Sequence, residues 1–272
     1  KDRYDSFTLK QAGWKLDGRY LYIKNIGRFK LFLSRAISGT IKTVTIRRTS
    51  SGKWFVAFSC DDVPERKLPE SIDEVGIDAG VKNLLVDTCG NFIDNPKNFR
   101  KSEKVLRRRQ RALSRKKKSS YRRRKVRIIV AKTHEKIANQ RKDFWHKKAN
   151  SYIQNFGIIY IENLNIKGMV RNRHLSKSIA DCSWGMFFNL LCYKAEEAGR
   201  IVIKVRPHGT SQKCSKCGKN VSKDLSVRVH HCSFCGIELD RDLNAAINIL
   251  RFGQNLRALT QRTAASVARE SP

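Results

Sequence analysis

Residues 75–93 read VGIDAGVKNLLVDTCGNFI. Val75-Gly76-Ile77 is an apolar run without alternation, as in a strand buried on both faces, and it reaches a carboxylate at Asp78. A Gly-flanked turn follows, then a second apolar strand, and the turn signal Cys89-Gly90-Asn91 leads into a third. Two later segments have the same buried-strand character: GIIYIENL (157–164), which ends in Glu162, and RIVIKV (200–205). Before the latter, CSWGMFFNLLCYKAEEAG (182–199) has the period of an amphipathic helix and closes on Gly199.

Upstream, residues 17–60 alternate in the manner of strands: RYLYIKN, GRFKLFLS, TIKTVTIRRT and KWFVAFSC, the last two separated by the turn SSG at 50–52. This predicts a small antiparallel barrel or sheet with Lys and Arg on its polar face. DVPERKLPE (62–70) reads as a charged, Pro-punctuated linker. Residues 101–150 carry 21 Lys+Arg against three acidic residues. Val126, Val130, Ile137 and Phe144 give that block one narrow apolar stripe, and Ser119-Ser120 marks a break, so a basic helical hairpin is expected. Arginine-rich triplets suit phosphate oxygens. Arg107, Arg108, Arg109, Arg111, Arg115, Lys116, Arg122, Arg123 and Arg124 are therefore expected to track a nucleic-acid backbone.

The whole composition agrees. In 272 residues, 57 Lys+Arg stand against 24 Asp+Glu, a formal charge of +33, while 40% hydrophobic residues argue for a folded chain. Such an excess repels itself until a polyanion neutralises it. No stretch is apolar for long enough to span a bilayer, and the first residues lack the apolar core of a signal peptide. The chain begins with Lys1, and we expect it to be N-terminally incomplete.

Two chemistries stand out. Cys214-x-x-Cys217 and Cys232-x-x-Cys235, fourteen residues apart, have the spacing of a zinc ribbon, with Gly218 and Gly236 following the second Cys of each pair. Four thiolates leave no open position, so one structural Zn²⁺ is expected. His230 and His231, beside Cys232, could substitute as ligands but are expected at the surface near nucleic acid, and Cys60, Cys89, Cys182 and Cys192 are expected as ordinary buried thiols. The second chemistry is carboxylates at the ends of apolar elements: Asp78, Glu162, and Asp242 at the start of the helix DLNAAINIL. Gathered together they would repel unless divalent cations neutralised them, and two Mg²⁺ ions would do so.

GIDAG, IENLN, SWGMFFNLLCYKAEEAG, TSQKCSKCG and CSFCGIELDRDLNAAINIL, in that order over residues 75–252, resemble the transposon-encoded TnpB (OrfB) proteins, RNA-guided DNA nucleases similar to the ancestors of type V CRISPR effectors. The resemblance implies an α/β chain with an RNase H-like (RuvC-like) core. It implies Asp78, Glu162 and Asp242, the second aspartate of DRDLNAA rather than Asp240, as the Mg²⁺-holding catalytic triad. The expected layout is a partial wedge-like β-barrel at 1–62, a linker at 63–74, and the nuclease core at 75–209 with its hairpin at about 100–155. The zinc ribbon at 210–239, the last core helix at 240–253 and a polar tail at 254–272 complete it. The implied function is RNA-guided, metal-dependent DNA cleavage for a mobile element in a prokaryotic cytoplasm, at the nucleoid, with guide RNA and double-stranded DNA as partners. Two other readings share these features: a non-cleaving zinc-ribbon protein that binds RNA or DNA, and a conventional metal-dependent transposase that needs no guide.

Overall fold

The computed structural model describes residues 5–207, 209–224 and 226–270, the last eight by backbone alone. The chain divides into two compact units, residues 1–66 with 102–137, and residues 67–101 with 138–272.

The first unit holds β1 (Ser6–Leu9), β2 (Trp14–Asp17), β3 (Tyr20–Ile23), β4 (Gly27–Lys30), β5 (Thr40–Arg48) and β6 (Trp54–Asp61). They form two three-stranded antiparallel sheets, ordered β1-β5-β6 and β2-β3-β4. Alternation sends Leu21, Ile23, Val44 and Ile46 into one buried cluster, with Leu9, Trp14, Leu16, Val56 and Phe58 against it. The expected barrel is thus a pair of small sheets around one core. β1 and β2 lie upstream of the run read as strands, and β1 shows no alternation. The β5–β6 turn closes as SSG predicts, with Gly52 at φ 91° and its N–H on the Thr49 carbonyl.

The basic block forms two helices, α1 (Asn98–Ser114) and α2 (Tyr121–Asn155), as expected. Between them Ser119 takes φ 67°, and the Ser120 hydroxyl accepts the Arg123 N–H at 3.2 Å.

In the second unit β7 (Glu74–Asp78), β8 (Asn83–Asp87), β9 (Phe92–Asp94), β10 (Ile158–Glu162) and β11 (Ile201–Val205) make one mixed sheet, ordered β11-β10-β7-β8-β9. The β11, β10 and β7 strands are parallel, while β7, β8 and β9 run antiparallel. The short α3 (Ile166–Met169) and α4 (Ser176–Cys182) lead to α5 (Trp184–Ala198), which Gly199 ends at φ 69°. After β11 come the hairpin β12 (Val229–His231) and β13 (Glu238–Asp240), and then α6 (Arg241–Glu270). One face of the sheet buries Val75, Ile77, Ile159 and Ile161 against Trp145, Ala149 and Tyr152 of α2 and Phe187 and Leu191 of α5. The other buries Ile158, Tyr160 and Val205 against Ile249 of α6. That helix crosses β7 closely, because a Cβ at Gly76 would lie 2.4 Å from the Ala246 carbonyl.

Two expectations need correction. Helix α6 does not stop near Gly253 but runs on to Glu270. Gly253 reads as a stop in sequence, yet its missing side chain makes room for the Tyr160 ring, and Gln254 and Arg257 one turn on bond Glu74 at 2.6 and 2.8 Å. The last two residues of the expected tail lie outside the described residues. Of the four scattered cysteines only Cys182 is buried; Cys60 and Cys192 are half-buried and Cys89 is exposed. Cys89 sits in the β8–β9 turn, whose backbone folds around the buried carboxylate of Asp87.

Candidate functional site

The sheet and α6 bring the three predicted carboxylates to one end of one face. Ile77 of β7 lies opposite Ile161 of β10 in parallel register. Asp78 and Glu162, one residue further, therefore end neighbouring strands about 4.8 Å apart. Side chains alternate along a strand, so Glu162 shares the α6 side with Ile158 and Tyr160, and Asp78 shares it with Gly76. Helix α6 supplies the third group in its first turn: a Cβ on Gly80, in the β7–β8 turn, would stand 3.7 Å from Asp242 Oδ2. The neighbouring aspartate does something else. Asp240 Oδ1 accepts the N–H groups of Asp242 and Leu243 at 2.8 and 3.3 Å, capping the helix.

Electrostatics registers the crowding. Part of the Asp78 surface reaches solvent, yet desolvation of its carboxylate, then the Glu162 and Asp242 charges, push its pKa well above the usual carboxylate range. The Ala79 N–H and the Arg241 guanidinium pull weakly the other way. Burial also raises Glu162, against the opposing effect of a 2.5 Å hydrogen bond from Thr210 Oγ1 to its Oε1. The three carboxylates stand further apart than the thiols do. Among the described residues, only the four cysteines put three or more candidate ligand atoms all within 4.8 Å of one another. A set of hard oxygen donors whose mutual repulsion raises a pKa fits divalent Mg²⁺.

Thr210 belongs to the segment that enters the cysteine cluster, and α6 grips that segment. Asn248 Nδ2 donates to the Thr210 and Lys213 carbonyls at 2.8 and 2.7 Å. Asn244, one turn earlier, donates to Lys213 O at 2.8 Å and accepts the Ser215 N–H at 2.9 Å. Both amides are buried, and neither was singled out in the sequence; their spacing of four, which puts them on one face of α6, was the available signal.

The two Cys-x-x-Cys-Gly turns have one geometry. Gly218 and Gly236 take φ 74° and 70° and donate to the Cys214 and Cys232 carbonyls, each at 2.9 Å. The thiols pair across the turns, with Cys214–Cys235 and Cys217–Cys232 sulfurs both 3.6 Å apart. That is far beyond a disulfide bond. It is close to the edge of about 3.8 Å that a tetrahedron of 2.3 Å Zn–S bonds requires. Burial works to raise Cys214, yet N–H groups of Cys217 and Lys216 and the side chains of His230 and Cys235 bring it down to about 7. Cys232 likewise falls to about 6, through the N–H groups of Phe234 and Cys235 and the Cys217 and Cys235 thiols. Four thiols at this spacing, two of them readily ionised, form a possible metal site that fits one Zn²⁺. His231 is exposed as expected, but His230 is wholly buried beside the cluster, because the strand β12 turns successive residues to opposite sides.

The basic residues are less uniform than their sequence implied. Lys104, Arg107, Arg108, Arg111 and Arg115 line one groove of about 630 Å³ along α1. Arg123 uses one amino group on the Leu113 and Lys116 carbonyls at the end of α1, and Arg109 donates to Thr133 of α2. Both are partly committed to holding the hairpin.

Comparison with known proteins fixes the kinship. Residues 57–173 match the family model described as "Probable transposase", and residues 184–249 match "Cas12f1-like, TNB domain". InsQ of Escherichia coli K12 is 32% identical over 93% of this chain and 67% of its own length. The chain belongs to the TnpB/OrfB family. A second TnpB-like relative, from Streptomyces pristinaespiralis, is 38% identical over 78% of this chain and 52% of its own, so the chain spans about half the length of that protein. Both relatives bear the description "Putative RNA-guided DNA endonuclease". Among solved structures, a Cas12f1–sgRNA–target DNA complex superposes with a TM-score of 0.54 at 22% identity, over 77% of this chain and 45% of that one. It shares the α/β fold. Among the described residues of this TnpB/OrfB chain, no helix is long and apolar enough to cross a membrane.

Proposed function

We propose that this chain carries the catalytic part of an RNA-guided, divalent-metal-dependent DNA endonuclease of a mobile element, acting in a prokaryotic cytoplasm at the nucleoid. The observation that carries the reading is the convergence of Asp78, Glu162 and Asp242 at one end of the α6 face of the sheet. The strand order, three antiparallel strands extended by two parallel ones, supports an RNase H-like core. The relatives' descriptions support guide RNA and DNA as the partners, and we take the DNA to be double-stranded.

In this reading Asp78, Glu162 and Asp242 hold Mg²⁺, which when bound activates water and stabilises the leaving oxygen of a phosphodiester. The chain's own residues prepare the site. Asp240 caps α6, which leaves Asp242 as the carboxylate directed at the β7–β8 turn. Thr210 occupies one lone pair of Glu162 Oε1 and so fixes the rotamer of that carboxylate. Asn244 and Asn248 hold Thr210 to the helix that bears Asp242, so the zinc-ribbon entry and two acidic groups move as one piece. The arginines lining the α1 groove neutralise phosphates of a guide–target duplex, and base pairing chooses the sequence.

The test is cleavage of a matched DNA target with Mg²⁺ by the protein co-expressed with the noncoding RNA that flanks its reading frame, comparing wild type with Asp78→Ala. RNA-dependent cutting in the wild type, lost in the variant while RNA binding persists, is the expected result. RNA binding without cutting in either protein would leave a binding module, and cutting that needs no RNA would mark a conventional nuclease or transposase.

A further inference from the structure

Glu162 and Asp242 each have their two oxygens unequally engaged. An ionised carboxylate can only accept, so the Thr210 hydroxyl donates to Glu162 Oε1, at 2.5 Å. That length is in the range of a charge-assisted O–H bond. Thr210 and Glu162 are 7% and 9% exposed, so water competes little for the proton. The donor is also held in place. Asn248 Nδ2 bonds the Thr210 carbonyl at 2.8 Å, and the Lys213 N–H closes the turn onto the Gly209 carbonyl at 2.9 Å. At Asp242, two nitrogens of the Arg241 guanidinium stand 3.5 Å from Oδ1, while Oδ2 is the oxygen beside Gly80 in the β7–β8 turn.

We propose that Thr210 sets the cation preference of the acidic cluster: by holding Glu162 Oε1 it leaves Oε2 as the one good ligand of that carboxylate, and so favours Mg²⁺ over Ca²⁺. The inference rests on the divalent-cation reading of Asp78, Glu162 and Asp242. The two ions ask different things of a carboxylate. Ca²⁺ takes about six to eight oxygens in flexible geometry and readily accepts both from one group. Mg²⁺ is smaller, demands an octahedron, keeps several waters and is served by single oxygens. An oxygen that already accepts a short, buried O–H bond is a weaker donor to a metal, and the bond fixes the plane of the carboxylate. Chelation through both oxygens therefore works against the hydrogen bond, a penalty that falls on Ca²⁺ and spares Mg²⁺. Arg241 biases Asp242 in the same sense through Oδ1. Thr210 acts only through Glu162 and is a positioning residue.

The test reads cation binding rather than cleavage. The full chain, zinc-loaded and free of nucleic acid, is titrated with Mn²⁺, whose free-ion paramagnetic resonance signal reports binding. The bound Mn²⁺ is then displaced with Mg²⁺ or with Ca²⁺. Asp78→Ala, measured in parallel, defines the part of the binding that belongs to the cluster. Wild type is compared with Thr210→Val, which keeps the shape without a donor, and with Thr210→Ser, which keeps the hydroxyl. Thr210→Ala replaces the Val variant if the latter does not melt cooperatively. Without the hydroxyl, Ca²⁺ should gain on Mg²⁺ about tenfold in displacing Mn²⁺, a ratio that one charge-assisted hydrogen bond is able to supply. The Ser variant should hold the wild-type ratio. An unchanged ratio in the Val variant would overturn the proposal, and so would a Ser variant that shifts with it. Mn²⁺ binding that is equal in wild type and Asp78→Ala removes the cation reading itself and this inference with it; cluster binding with an unshifted Val variant removes Thr210 alone.

Discussion

Single residues decide what this fold tolerates. Gly253 lies inside α6, where Ala would gain about 1 kcal/mol in helix propensity. A Cβ there would sit 1.9 Å from the Tyr160 ring, which is itself fully buried, so neither side can yield cheaply. The clash should win: Gly253→Ala is expected to lower stability by about 1–3 kcal/mol, read as a fall in the urea midpoint at unchanged slope. Cys182 makes a second residue-level prediction. Burial and then the Asp181 charge push its thiol up to about 11, above the ordinary value of 9.0. Its contribution is complete below pH 9, where both folded and unfolded thiols are protonated, and is lost as pH rises towards 11, because the unfolded chain ionises first. Cys182→Ala should therefore lose less stability than wild type between about pH 8.5 and 10.5 in paired denaturation curves. The catalytic candidates were legible at this scale because Asp78 and Glu162 are the first acidic groups after apolar runs. The burial of His230 was not, since two adjacent histidines look alike until a strand turns them apart.

Elements carry the next set of consequences. Arg141 meets Asp181 at 2.8 Å, with the aspartate 2% exposed and also accepting the Phe99 N–H at 3.1 Å. This joins α2, α4 and the start of α1. Asp181→Ala should cost about 3–5 kcal/mol, because it strands a guanidinium whose Nε already lacks a partner. Calorimetric melting of the variant checks it. On the zinc reading of the four cysteines, a chelator is expected to speed hydrogen exchange in residues 211–217 and 228–240 while β7, β10 and β11 stay protected. Uniform loss of protection throughout the sheet would contradict that. Buried strands and α5 could be read in advance because their apolar content leaves one solution, and Gly199 ended the helix as expected. The full length of α6 could not, since Glu74, 180 residues away in the chain, supplies the partner that extends it.

At the scale of the whole molecule, charge dominates. With +33 overall, nucleic-acid affinity should fall steeply with salt. Replacing Arg107, Arg108 and Arg111 together by Gln should reduce the slope of log affinity against log salt by about 2–3, since each lost phosphate contact removes roughly 0.7–0.9. Filter-binding titrations at several salt concentrations would show it, and an unchanged slope would place the RNA elsewhere. A different lesson comes from the way α6 grips the ribbon. Asn244 and Asn248 read main-chain atoms of Thr210, Lys213 and Ser215, and no side chain of Ser211 or Gln212 takes part in those bonds. A joint that recognises only peptide groups is indifferent to the letters spelled between its anchor points. The ribbon is therefore a cassette: related chains that keep the two asparagines and the anchoring threonine should accept one another's knuckles, and such an exchange need never disturb the acidic cluster beside it.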